Sequence, residues 1–125
     1  MPSKVLVIDD EWAIAKALCR RLSECGFEMI SAPDGPTGIM KAADTCPDAI
    51  LLDLRMPDMD GFEVFRRLRS DETLRHIPVI FLSANVQDTA KQEAKAMGAA
   101  DFFSKPYHYE EIAYAISTAV SQSVT

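Results

Sequence analysis

Five short apolar runs alternate with segments of helical period, and this alternation constrains the chain more than any other feature. The runs are Val5–Ile8, Phe27–Ser31, Ala49–Leu52, Val79–Leu82 and Ala100–Phe103. Each is long enough for a strand and too short for a helix. After the first run, Ile14, Leu18 and Leu22 fall four apart with Ala15 and Cys19 beside them, and Cys25-Gly26 supplies a stop. "DGPTGIMKAADTCP" offers Asp34 as a helix cap and ends on Pro47. "DGFEVFRRLRS" sets Phe62, Phe65 and Leu68 on one stripe and Arg66, Arg67 and Arg69 outside it. "NVQDTAKQEAKAMG" is polar and alanine-rich and closes at Gly98, while Ile112, Ile116 and Val120 again fall four apart. Strands alternating with helices predict a parallel sheet covered on both faces. Right-handed crossovers then favour a doubly wound (βα)5 three-layer α/β sandwich with strand order 2-1-3-4-5.

A chain of 125 residues suits one domain with its own core. We expect that domain over 1–121, with 122–125, inside the Ser- and Thr-rich "SQSVT", as a tail or the start of a linker. A formal net charge of −6 gives no general attraction to nucleic acid or to an anionic membrane. Cys19, Cys25 and Cys46 are odd in number and lack metal-ligand pairing, so they read as ordinary side chains in a reducing compartment. The apolar run in "MPSKVLVIDDE" is broken by acids and is too short for a signal or a span. The expected location is the cytoplasm, with no membrane and no direct nucleic-acid contact.

Doubly wound sheets place their chemistry at the carboxyl ends of the strands. There the runs deliver Asp9-Asp10-Glu11, Asp53, Ser83-Ala84 and Lys105-Pro106. In the expected order the first and third strands are neighbours, so Asp10 and Asp53 come side by side. Several carboxylates in one cleft repel and hold protons tightly unless a cation compensates. Hard oxygen ligands suit Mg²⁺, with Mn²⁺ as the alternative. Carboxylates, a divalent cation, a lysine and a hydroxyl together describe phosphoryl transfer with Asp53 as nucleophile. Asp10 is then a direct metal ligand and Asp9 a ligand directly or through water. Asp9-Asp10-Glu11 taken alone reads equally well as an acidic helix start, favourable to the dipole. Ser83 alone reads as a cap and Lys105 as a solvated charge; company makes them functional.

The four segments "VLVIDDE", "LLDLRMPDMDG", "IPVIFLSA" and "GAADFFSKPY", in this order and at these distances, closely resemble the receiver domain of two-component response regulators, a flavodoxin-like fold. The resemblance covers the whole chain. It implies that Asp53 is phosphorylated by a sensor histidine kinase, a phosphotransfer protein or a small phosphodonor. It implies that Asp9, Asp10, Asp53 and the Arg55 backbone carbonyl hold Mg²⁺. Lys105 matches the lysine that pairs with the phosphoryl group, Ser83 the switch hydroxyl, and Ala84 the small residue beside it. Phe102 occupies the aromatic switch position, here without a hydroxyl. Arg55 and Asn85 stand at the two positions that tune phosphoryl lifetime, and the Lys105–Pro106 bond matches a cis peptide. The implied output surface is the fourth helix, fifth strand and fifth helix, meeting a downstream protein or domain, with a phosphorylation-dependent dimer left open. Such a domain is a switch rather than an enzyme, catalysing only its own phosphorylation and dephosphorylation.

Two other readings stand beside it. An aspartyl-phosphate phosphatase of the HAD-like type shares carboxylates, Mg²⁺ and lysine, but wants its nucleophile on the first strand and a cap segment. A phosphorylation-independent interaction module keeps the fold alone. Trp12 reads as a partly exposed helix-start residue, His76 and His108 as surface histidines, and Arg66–Arg69 as a solvated helix face.

Overall fold

A computed structural model describes residues 2–57, 59–83, 88–104 and 108–123. The elements run β1 (Lys4–Ile8), α1 (Trp12–Glu24), β2 (Glu28–Ala32), α2 (Gly35–Thr45), β3 (Ala49–Asp53), α3 (Gly61–Ser70), β4 (Val79–Ser83), α4 (Asp88–Ala96), β5 (Asp101–Ser104) and α5 (Tyr109–Ser123). The five strands form one sheet in the order β2-β1-β3-β4-β5, and every adjacent pair is parallel. This is the doubly wound α/β fold that the alternation predicts.

The near-continuous apolar runs have a direct cause. β1, β3 and β4 lie inside the sheet with helices on both faces, so both side-chain directions are buried. Leu6, Ile8, Ile50, Leu52 and Phe81 pack with Val64, Phe65 and Leu68 of α3 and Ala42 of α2. Val5, Val7, Leu51 and Ile80, on the opposite face, pack with Leu18 and Leu22 of α1 and Ile112 and Ile116 of α5. Each such side chain contributes about 1.5–3 kcal/mol by leaving water, and together they hold the strand ends rigidly.

Several boundaries differ from expectation for local reasons. Phe27 does not open β2; its N–H donates to the Leu22 carbonyl at 3.2 Å across Gly26, whose φ is +99°. That is the helix-ending turn in which a left-handed glycine lets two later amides reach back to orphan carbonyls. α4 ends the same way, Ala99 donating to Ala94 at 3.0 Å across Gly98, so β5 begins at Asp101 rather than Ala100. At the other ends β3, β4 and β5 run one residue beyond their apolar runs, to Asp53, Ser83 and Ser104. Gln122 and Ser123 continue α5 past residue 121.

One side chain also differs. Arg69 is half-buried rather than solvated: its guanidinium lies 4.6 Å from the Phe65 ring centre and donates to the carbonyls of Arg75 and, at 3.0 Å, Ile77. It ties α3 to the turn that enters β4, while Arg66 and Arg67 stay outside and share Glu63. Trp12 opens α1, as expected, and is 73% exposed. His76 and His108 are exposed, and Cys19, Cys25 and Cys46 are free thiols.

Candidate functional site

The register of the two central strands builds the site. Ile8 of β1 is paired with Leu52 of β3, so the next residue of each, Asp9 and Asp53, emerges at the same carboxyl edge. Asp10 follows on the loop into α1. One carboxylate oxygen from each of Asp9, Asp10 and Asp53 lies within 4.8 Å of the others. Asp9 is buried, Asp53 half-buried and Asp10 exposed, so the cluster has a buried floor and an open mouth.

Backbone amides aim two of these acids. The Glu11 N–H donates to Asp9 Oδ1 at 2.9 Å, and the Arg55 N–H donates to Asp53 Oδ1 at 3.3 Å. Glu11 occupies the N-cap position of α1, yet no side-chain capping bond is made there. Asp9, Asp10 and Glu11 all precede Trp12, the first residue of the helix.

Burial pushes the Asp9 carboxyl above its ordinary range, opposed by the Glu11 amide and reinforced by the charges of Glu11 and Asp10. Burial, then the charge of Asp9, pushes Asp53 up to about 7. Like charges held this close retain a proton between them unless a cation enters. Three hard oxygen donors on an open cleft fit a small divalent cation that keeps several waters.

The surroundings restrain Asp53 from below. Gly61 opens α3, and a Cβ there would lie 2.6 Å from the Asp53 carbonyl oxygen and 2.8 Å from Leu54 Cα. Its amide donates to the Leu54 carbonyl at 2.9 Å, and Asp60 caps the helix by accepting from Glu63 N–H at 2.9 Å. The sequence shows Asp60-Gly61 as a turn signal; the close approach becomes visible only when the helix start is seated against the end of β3.

Ser83 ends β4 next to β3, fully buried, one residue beyond Leu82, which pairs with Asp53. Phe102 of β5 is 8% exposed, its ring centre 6.1 Å from that of Phe81. Phe81 in turn meets Phe62 at 5.5 Å and Phe65 at 5.4 Å. This aromatic chain joins α3, through Phe81 of β4, to β5. The Arg55 side chain is exposed and lines a hollow of about 500 Å³ with Asp60, Phe62 and Ala90. Ala84, Asn85, Lys105 and Pro106 lie outside the described residues.

Comparison with known proteins agrees with the geometry. Residues 5–117 match the family model "Response regulator receiver domain". The chain is 42% identical over 106 residues to the response regulator PleD of Caulobacter vibrioides, covering 85% of this chain and 23% of that protein. It is 35% identical over 112 residues to the alkaline phosphatase synthesis transcriptional regulatory protein PhoP of Bacillus subtilis, covering 90% of this chain and 46% of that one. The chain thus spans about a quarter to a half of the length of these curated relatives. Among solved structures, Vibrio cholerae chemotaxis protein CheY4 superposes with a TM-score of 0.88 at 30% identity, over 95% of this chain and 99% of that one. A putative response regulator from Chloroflexus aurantiacus gives 0.91 at 26% identity, over 97% and 99%.

Proposed function

The chain belongs to the response regulator receiver domain family, and from that premise we propose that Asp53 is its phosphoacceptor, served by Asp9, Asp10 and a Mg²⁺ ion. The observation that carries the reading is the convergence of the three carboxylates within 4.8 Å at the ends of two adjacent central strands. Receiver domains generally use Mg²⁺, and this donor set suits it. Asp9, Asp10, Asp53 and the Arg55 carbonyl would hold the ion, which supplies charge neutralisation to the nucleophile and to a phosphoryl oxygen.

The chain's own residues perform the rest. The Glu11 amide and the buried wall fix Asp9, leaving Asp53 at the mouth, where a phosphoryl group on a histidine nitrogen or a small acyl phosphate can arrive in line. An Asp53 carboxylate oxygen forms the new P–O bond as the donor's P–N or P–O bond breaks, and the bonding pair leaves with the donor. Asp53 must be ionised for this step, so displacing its retained proton is part of activation. Lys105 neutralises a second phosphoryl oxygen, Ala84 leaves room for the group, and Asn85 and the Arg55 side chain modulate its escape. The Ser83 hydroxyl, 0% exposed at the adjacent strand end, takes a third oxygen. Its shift towards the dianion, with Phe102, biases the domain between two arrangements of the α4-β5-α5 face.

In this reading the domain works in the cytoplasm between a histidine kinase or phosphotransfer protein and a downstream output. No described helix is long and apolar enough to cross a membrane. Neither the geometry nor the relatives favour the phosphatase or the phosphorylation-independent module. The test is incubation with acetyl phosphate and Mg²⁺ followed by intact-mass spectrometry. One added phosphoryl group, absent in Asp53→Asn and after chelation by EDTA, is expected. Continued multiple turnover of generic phosphate esters would contradict the switch.

A further inference from the structure

Beside the β5 edge strand runs a furrow of about 470 Å³ between β5 and α5. Its floor is made of small or apolar side chains, Phe103, Ala115 and Ala119, and the ring of Tyr114 stands at its margin, 74% exposed. Its charged members are all acids: Asp101 on β5, and Glu110 and Glu111 in the first turn of α5. None of the described lining residues is a cation, and α5 contains no Lys, Arg or His from Tyr109 to Ser123.

The acids sit at opposite ends. β5 runs towards the phosphoacceptor edge and α5 returns from it, so Glu110 and Glu111 lie near that edge and Asp101 lies at the far end. The ends are separated by about 10 Å along the strand, and the lining extends about 18 Å along α5 from Glu110 to Gln122. We propose that this furrow docks a basic amphipathic helix of a different protein, with apolar side chains at its centre and a Lys or Arg near each end, two to three turns apart. The proposal rests on the reading of α4-β5-α5 as the output face and names the chemistry of its partner.

Charge complementarity selects the occupant. A second copy of this chain offers Lys91 and Lys95 from α4, but these are one turn, about 6 Å, apart. They also already flank Asp101 on the other side of β5, in a hollow of about 300 Å³. One α4 therefore does not match acids at both ends. A helix crossing the furrow buries its centre on Ala115 and Ala119, next to an exposed tyrosine of the kind that anchors interfaces.

Fluorescence anisotropy tests it with a labelled helical peptide of leucine and alanine carrying two lysines at each end, and a control with glutamates in their place. The chain is titrated before and after acetyl phosphate and Mg²⁺ treatment, alongside a combined Asp101→Asn, Glu110→Gln and Glu111→Gln variant. The lysine peptide is expected to bind at least 10-fold more tightly than the control, to weaken with salt, and to lose at least 10-fold in the variant. Equal binding of the two peptides, or binding that survives the variant, would overturn the proposal. So would a dimer in sedimentation that the variant dissolves, because the occupant would then be a second copy. A chain that labels on Asp53 but ignores the lysine peptide refutes the furrow alone. A chain that binds the peptide but never labels refutes the phosphoacceptor and leaves the furrow standing.

Discussion

At Asp53 the fold keeps a carboxylate where its own ionisation is costly. Its folded pKa of about 7 lies above the unfolded value of 3.8, so the folded state holds the extra proton across that window. For an acid displaced this way, the contribution to stability is fully present below 3.8 and is lost as pH rises through 7. A tenfold change in proton affinity corresponds to about 1.4 kcal/mol, and after solvent screening at the open mouth the loss is on the order of 2 kcal/mol. Asp53→Asn is therefore predicted to stabilise the metal-free domain at pH 8 by about 1–2 kcal/mol and to change it little at pH 4, measured by urea unfolding. The same substitution is predicted to remove phosphoryl acceptance, which would set stability against the proposed function at this residue. Asp53 was legible in the sequence because an acid terminating a fully apolar run has few structural uses. The burial of Asp9 beside an exposed Asp10 was not, since it depends on which way β1 turns into α1.

Among the elements, boundaries were less legible than existence, and the reason is hydrogen bonding. An apolar run records burial, whereas a strand continues as long as its ladder does; β3 thus includes Asp53, paired with Leu82. Phe27 and Ala100 look like strand starts, but Phe27 belongs to the closing turn of α1 and Ala100 follows that of α4. The Arg69 clamp was hidden because a guanidinium with a long apolar stem can be drawn inwards by carbonyls distant in sequence. At the end of α2, Cys46 holds φ +47° and ψ +62°, a conformation that favours glycine. Cys46→Gly is predicted to raise stability by about 0.5–1 kcal/mol, seen as a higher thermal midpoint with unchanged phosphorylation. Gly61→Ala acts oppositely. Its Cβ meets the backbone of Asp53 and Leu54 rather than a yielding side chain tip, so a loss of about 1–3 kcal/mol is expected. Slower acetyl-phosphate labelling at saturating Mg²⁺ should accompany it. A comparably destabilised Gly98→Ala variant, strained at φ +97°, should label at the normal rate.

For the whole molecule, the doubly wound topology turns one sheet edge into a charged cleft and leaves the rest as scaffold. The sheet order and the cleft were legible together, because five alternating elements admit few windings and the acids follow the strands that must be neighbours. The acid furrow on the β5 side was not, since it needs both β5 and α5 in place. A cation that binds only the folded cleft stabilises the entire domain, by about 2.7 kcal/mol at a hundredfold excess over its dissociation constant. Mg²⁺ is predicted to raise the thermal midpoint more at pH 8 than at pH 5, where protons compete for Asp9 and Asp53, and Asp53→Asn should weaken that response. Chemical mapping decides whether Asp53 is the phosphoacceptor. The chain is treated with acetyl phosphate and Mg²⁺, reduced with borohydride, which converts an aspartyl phosphate to homoserine, and digested for peptide mass spectrometry. Homoserine is expected at position 53 and nowhere else. Homoserine at position 9 or 10, or an unmodified position 53 in a chain that has gained a phosphoryl group, would rule Asp53 out.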